Sequence, residues 1–180
     1  LVAFKTNPDA GAKGISMFIV EKGTTGFQIG HPEEKMGCRS SITTSLLFSD
    51  CVVPAGNLIG RENEGFKVAM YGLVGGRLGM ASMGIGLAEA ALEQAARYAN
   101  RRVAFGKPIS TLFAVQQMLA DMYVKLEAAK LLVEKTAAAR DSGKDYFVES
   151  SVAKLFVSEV VPEICNKALQ VFGGHGYMKY

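Results

Sequence analysis

VQQMLADMYVKLEAAKLLVEKT, residues 115–136, decides the fold. Val115, Leu119, Met122, Leu126, Ala129, Val133 and Thr136 recur at alternating intervals of four and three. That rhythm lays one apolar seam along an α-helix. Asp121, Lys125, Lys130 and Glu134 fall off the seam, as solvent-facing residues do. A helix with one such stripe has to bury it against other helices.

Two further helices flank this one. Upstream, Ile85, Ala88, Leu92, Ala95 and Ala99 keep helical spacing. Downstream, Val148, Val152, Leu155 and Phe156, then Ile164, Ala168, Leu169 and Phe172 do the same. Gly106-Lys107-Pro108, Asp141-Ser142-Gly143 and Gly173-Gly174 are the breakers that end the three helices in turn. Pro162 falls inside the third, where a kink is expected because proline removes a hydrogen bond. Three long antiparallel helices form a bundle, and a fourth would be its usual completion.

Ahead of Pro54 the pattern is different. Residues 1–5, 15–20 and 45–48 are short apolar runs separated by Asn7-Pro8-Asp9 and Gly23-Thr24-Thr25-Gly26. They read as strands too few to close a barrel or sandwich alone. The expected fold is therefore mainly α: an antiparallel helical bundle over residues 55–180, preceded over 1–54 by part of an antiparallel β-domain. The chain opens on an apolar run without a start methionine, which reads as a cut within a fold.

Composition narrows the function classes. The net charge is +3, with no run of Lys or Arg resembling a nucleic-acid arm. No apolar stretch reaches 18 residues, so no membrane span is expected. Cys38, Cys51 and Cys165 are odd in number and widely spaced, with only His31 and His175 to join them. Neither a disulfide framework nor a metal site is expected, and a reducing compartment is.

Four stretches carry a family resemblance. They are KMGCRSSIT at 35–43 with LFSDCVVP at 47–54, EGF at 64–66 leading to Gly76-Arg77, RRVAFGKP at 101–108, and ALQVFGGHGY at 168–177. In this order and spacing the chain resembles the rear part of the acyl-CoA dehydrogenases. Gly75-Gly76-Arg77 and ICNKALQ at 164–170 look closest to members acting on short or short branched chains, such as isobutyryl-CoA.

The resemblance implies a flavoprotein oxidoreductase of fatty-acid or branched-chain amino-acid catabolism. It would use FAD to introduce an α,β double bond into an acyl-CoA thioester and hand the electrons to an electron-transferring flavoprotein. It also implies a middle β-domain over 1–54, a C-terminal bundle over 55–180 truncated before its last helix, and a homodimer or homotetramer. The location would be cytoplasmic in a bacterium and the mitochondrial matrix in a eukaryote.

Residue roles follow from the same likeness. Arg102, with Ala104 and Phe105 in the Arg-x-x-Phe-Gly turn, would hold the flavin diphosphate across a subunit interface. A guanidinium fork suits that group, although a solvated Arg at a helix end would look the same. Gln170, Gly173 and Gly174 would meet the adenosine diphosphate end; the plain alternative is a glycine C-cap. Phe113 stands where many members carry a flavin-touching Gln, and Gln116 is the substitute candidate. Arg77 would lie near bound coenzyme A, or else pair with a surface carboxylate. Arg39, Ser41 and Thr43 read as strand polarity more than as ligand contacts.

No catalytic residue is assigned. Most members carry the base, a Glu, beyond the Gly-rich turn. Others carry it just before the Arg, where this chain has Gly76. Glu89 and Glu93 read as surface charges. Tyr180 stands where the family usually has Asp or Glu. The 180 residues alone are expected not to turn over substrate. Two rivals remain: an acyl-CoA oxidase-like enzyme passing electrons to oxygen, and a non-catalytic helical-bundle assembly protein.

Overall fold

Five strands precede the helices: β1 (Val2–Lys5), β2 (Ile15–Phe18), β3 (Phe27–Pro32), β4 (Thr44–Phe48) and β5 (Leu58–Ile59). The computed structural model describes residues 1–179, so Tyr180 lies outside the described residues. Contacts divide the chain into two compact units, Leu1–Tyr71 and Gly72–Tyr180. The division falls inside the first long helix. Strand β5 follows Pro54, and the first long helix begins at Gly65.

In the first unit, β1, β2 and β5 form an antiparallel sheet with β2 central, while β3 and β4 form a separate antiparallel pair. Phe4 meets Phe48 edge-on with centroids 5.0 Å apart, and Phe48 stacks on Phe27 at 4.9 Å. These aromatic contacts supply packing that short strands lack. Strand β3 was not expected from the sequence. Gly30 and Pro32 break its alternation, and its pairing with β4 shifts register between Ile29 and Pro32. Ser16 is fully buried; its hydroxyl contacts Thr6 Oγ1 at 2.7 Å and accepts the Asn63 N–H at 2.7 Å.

Helix α1, Gly65–Arg101, runs 37 residues. Its first residue has to be glycine, because a Cβ there would sit 2.4 Å from the Ser16 carbonyl carbon. Two short strands follow, β6 (Val103–Ala104) and β7 (Lys107–Pro108), then α2 (Phe113–Asp141) and α3 (Phe147–Phe172). The helices of the second unit share one core. Helix α1 contributes Leu78, Ala81, Ala88, Ala95 and Ala99; α2 contributes Val115, Met122, Leu126, Ala129 and Val133; α3 contributes Ala153, Val157, Val160, Ile164, Ala168 and Val171.

The α2 seam is buried as the periodicity predicts, with Leu119 partly covered and Thr136 buried. Thr136 Oγ1 donates to the Leu132 carbonyl at 2.8 Å, so its burial leaves no unmet donor. The antiparallel course of α2 and α3 is visible in their ion pairs: Asp121 with Lys167, and Lys125 with Glu163. The structure is thus mainly helical, an antiparallel bundle preceded by small antiparallel sheets.

Three expectations need correction. Helix α1 stops at Arg101, five residues before Gly106, because residues 103–108 pair as a hairpin. Helix α3 buries Ala153, Val157 and Val160, whereas Val148, Val152, Leu155 and Leu169 are exposed. That helix is apolar on more than one face, and packing against α2, with Gly84 of α1 close to Val157, decides which side is covered. Arg39, Ser41 and Thr43, read as strand residues, lie in the loop between β3 and β4, and α3 runs unbroken from Phe147 to Phe172 through Pro162. Among the described residues no helix is long and apolar enough to cross a membrane.

Candidate functional site

The two turns singled out by sequence lie at one end of the second unit. Arg102 follows the last residue of α1, and its N–H donates to the Tyr98 carbonyl at 2.8 Å. The chain then reverses through the β6–β7 hairpin, with Val103 opposite Pro108 and Ala104 opposite Lys107. The Ile109 N–H returns to the Arg102 carbonyl at 2.9 Å, closing the loop. Phe105 and Gly106 form its tip with φ of 54° and 76°. Two positive values in succession make the mirror-image turn that matches strand twist. Gly106 adopts this freely. Phe105 does so at a steric cost, and its side chain is 90% exposed.

The second turn begins where α3 ends. Gly173 leaves the helix with φ 58° and ψ −132°, and a short 3-10 turn carries Gly173–Gly176. A Cβ on Gly174 would meet nothing within 4 Å, so this backbone is open to approach. At Gly176, by contrast, a Cβ would lie 2.6 Å from the Leu169 carbonyl oxygen. Gln170, Gly173 and Gly174 are all exposed.

Tyr98 joins the two turns. Its ring lies 4.5 Å from that of Phe172, the last residue of α3, and 6.0 Å from His175 inside the glycine turn. Helix α2 begins at this same end, since the hairpin connects it to α1 by eleven residues. Gln116 in its first turn is exposed, and its Nε2 donates to the Ser110 carbonyl at 3.0 Å. Its Oε1 makes no described hydrogen bond. Phe113, the first residue of α2, is exposed as well.

This end gathers a guanidinium, two side-chain amides, an exposed aromatic ring and unobstructed glycine backbone. Among the described residues Arg102 makes no ion pair. Such a donor set fits one side of a dinucleotide: a fork for the diphosphate, and amides and peptide groups for ribose and base.

Arg77 is elsewhere. It precedes Arg102 by 25 positions on α1, about 37 Å along the axis at 1.5 Å per residue. It makes no carboxylate pair among the described residues. Its guanidinium carbon lies 5.0 Å from the centroid of Phe147, and its Nη1 is buried without a hydrogen-bond partner. The cation is thus held on an aromatic face with one donor unmet. Gly76 beside it has no side chain, and a Cβ there would meet nothing within 4 Å. Glu89 pairs with Lys130 at 2.9 Å and Glu93 with Arg97, so both glutamates sit in surface ion pairs.

Sequence reading missed Tyr98 and Phe147. Both are aromatic residues at helix ends, and neither carries a motif. The available signal was spacing: Tyr98 precedes Arg102 by four positions, one helical turn.

Comparison with known proteins adds a second line. The family described as "Acyl-CoA dehydrogenase, C-terminal domain" matches residues 63–180. The acryloyl-CoA reductase (NADH) of Anaerotignum propionicum is 49% identical over 174 residues, 97% of this chain and 44% of that protein. The solved butyryl-CoA dehydrogenase of Megasphaera elsdenii superposes with a TM-score of 0.95 at 44% identity, covering 98% of this chain and 46% of that one. A chain solved in work on the electron transferring flavoprotein of Acidaminococcus fermentans also gives a TM-score of 0.95, at 47% identity, with 98% and 47% covered. The chain therefore spans about half the length of the relatives it matches.

Proposed function

We propose a function on one premise, that this chain belongs to the acyl-CoA dehydrogenase family. The whole protein binds FAD and interconverts a short acyl-CoA thioester and its α,β-unsaturated form, exchanging electrons with an electron-transferring flavoprotein. The observation that carries this reading is the pairing of the Arg102 hairpin with the Gly173–Gly176 turn at one end of the bundle, tied by Tyr98.

Each residue then has a chemical task. The Arg102 guanidinium neutralises and orients the diphosphate. Gln170 and the peptide groups of Gly173 and Gly174 hold the adenosine side. Ala104 and Phe105 shape the hairpin against it, and Gln116 offers Oε1 as an acceptor. When bound, FAD would supply a hydride acceptor for the β-hydrogen of the thioester. Arg77 serves a different site, about 37 Å away along α1. There its unmet Nη1–H donates to a phosphate or carbonyl of the coenzyme A thioester.

That separation supports an oligomer in which this end of the bundle completes the cofactor site of a neighbouring subunit. The relative named acryloyl-CoA reductase favours a second reading, the same chemistry run toward saturation. The residues here hold the cofactor and do not select a direction.

The test uses the full-length protein. Arg102→Ala is expected to lower the flavin bound per subunit, measured by absorbance at the flavin band. A charge-assisted bidentate contact is worth about 1.5–3 kcal/mol, so affinity should fall by roughly tenfold or more. Wild-type flavin content and affinity in that variant would sink the reading. Adding a short acyl-CoA with flavoprotein, or with oxygen alone, separates dehydrogenase from oxidase.

A further inference from the structure

We propose that Tyr98 is a positioning residue for the cofactor, setting the distance between the Arg102 hairpin and the glycine turn. The inference rests on the flavin-binding reading above and adds to it a residue that touches neither diphosphate nor base.

The two turns belong to different helices, whose last turns contribute Ala99 and Val171 to one core, with Tyr98 and Phe172 packed against it. The Gly173–Gly176 turn reads Gly-Gly-His-Gly, so His175 is its one side chain. Its own backbone bonds are local: Gly173 N–H to the Gln170 carbonyl, and Tyr177 N–H to the Gly174 carbonyl at 3.2 Å. These local bonds shape the turn. The Tyr98 ring meets it from the α1 side, against Phe172 before the turn and His175 within it. From the other side, the Tyr98 carbonyl holds the Arg102 N–H at 2.8 Å. One residue thereby anchors both turns.

A dinucleotide spans a set distance between diphosphate and adenosine. Two recognition turns bind it well only if their spacing is already correct, because ordering them on binding subtracts from affinity. The contacts made by Tyr98 are ring contacts, so Phe should replace it and an aliphatic residue should not.

The experiment titrates full-length protein, stripped of flavin, with FAD. Tyr98→Phe is expected to bind within about twofold of wild type. Tyr98→Leu is expected to bind about three- to tenfold more weakly, the range an aromatic pair supplies. Once saturated with FAD, its KM for acyl-CoA should be unchanged. Combined with Arg102→Ala, the Leu variant should lose less than the product of the two single effects, because positioning no longer matters without the guanidinium. If Tyr98→Leu does not fold, Phe172→Leu breaks the same contact from the opposite side and carries the same expectation.

Wild-type FAD affinity in Tyr98→Leu, with Arg102→Ala weakened, overturns the proposal and leaves the flavin reading standing. So does a Phe variant as weak as the Leu one. Wild-type affinity in Arg102→Ala overturns the reading beneath it.

Discussion

A Cβ placed on Gly84 would lie 2.6 Å from Val157 Cγ1, while one on Gly86 would meet nothing within 4 Å. Both glycines sit inside α1, where replacement by Ala ordinarily stabilises by about 0.5–1 kcal/mol. At Gly86 that gain should appear in full. At Gly84 the neighbour is a buried β-branched side chain that cannot swing away. Gly84→Ala should therefore destabilise, by about 1–3 kcal/mol for overpacking. Denaturant midpoints of the 180-residue chain check both, and a stabilised Gly84→Ala would contradict the packing. The two positions look alike in the sequence, because what separates them is a residue 73 positions away. Arg102 and Gln170 were singled out through motifs, whereas no motif marks Tyr98, whose ring lies against Phe172 and His175.

At the scale of elements, Pro162 withholds an N–H from the Ser158 carbonyl within α3, at an exposed position. Pro162→Ala restores that bond and should stabilise the chain by about 1–3 kcal/mol. An unchanged or lowered denaturation midpoint would mean the helix depends on the proline. The end of α2 was easier to foresee. Gly143 takes φ 71°, Lys144 N–H reaches the Ala139 carbonyl and Gly143 N–H the Arg140 carbonyl, which closes the helix in the way its glycine suggests. The face of α3 was not foreseeable, since its apolar residues cover more than one side and only its packing against the other helices chooses among them. Between α1 and α2, the hydrogen-bonded Glu89 carboxylate, with Glu127 nearby, raises the Lys130 pKa above its ordinary 10.5. That pairing contributes below this pH and is lost as pH climbs through the raised value.

Taken whole, the 180 residues supply two turns brought together at one end of the bundle, a distant arginine and no carboxylate at position 76. Assayed alone with butyryl-CoA and an artificial electron acceptor, they should give no turnover above the enzyme-free control. Turnover would require a base within these residues and would make the surface-paired Glu89 and Glu93 the first to re-examine. The bundle itself was readable from periodicity, since the α2 seam needs two neighbouring helices to cover it. The extra strands β3 and β5 were not, because one is irregular and the other is two residues long.

The hairpin tip has one more consequence. A bulky aromatic residue held out in solvent at the apex of a tight reversal is what chymotrypsin cuts after. Limited digestion of the flavin-free protein should include a nick behind Phe105. A nucleotide seated over that apex would shield it, so the rate of this single cut gives a colourless measure of occupancy.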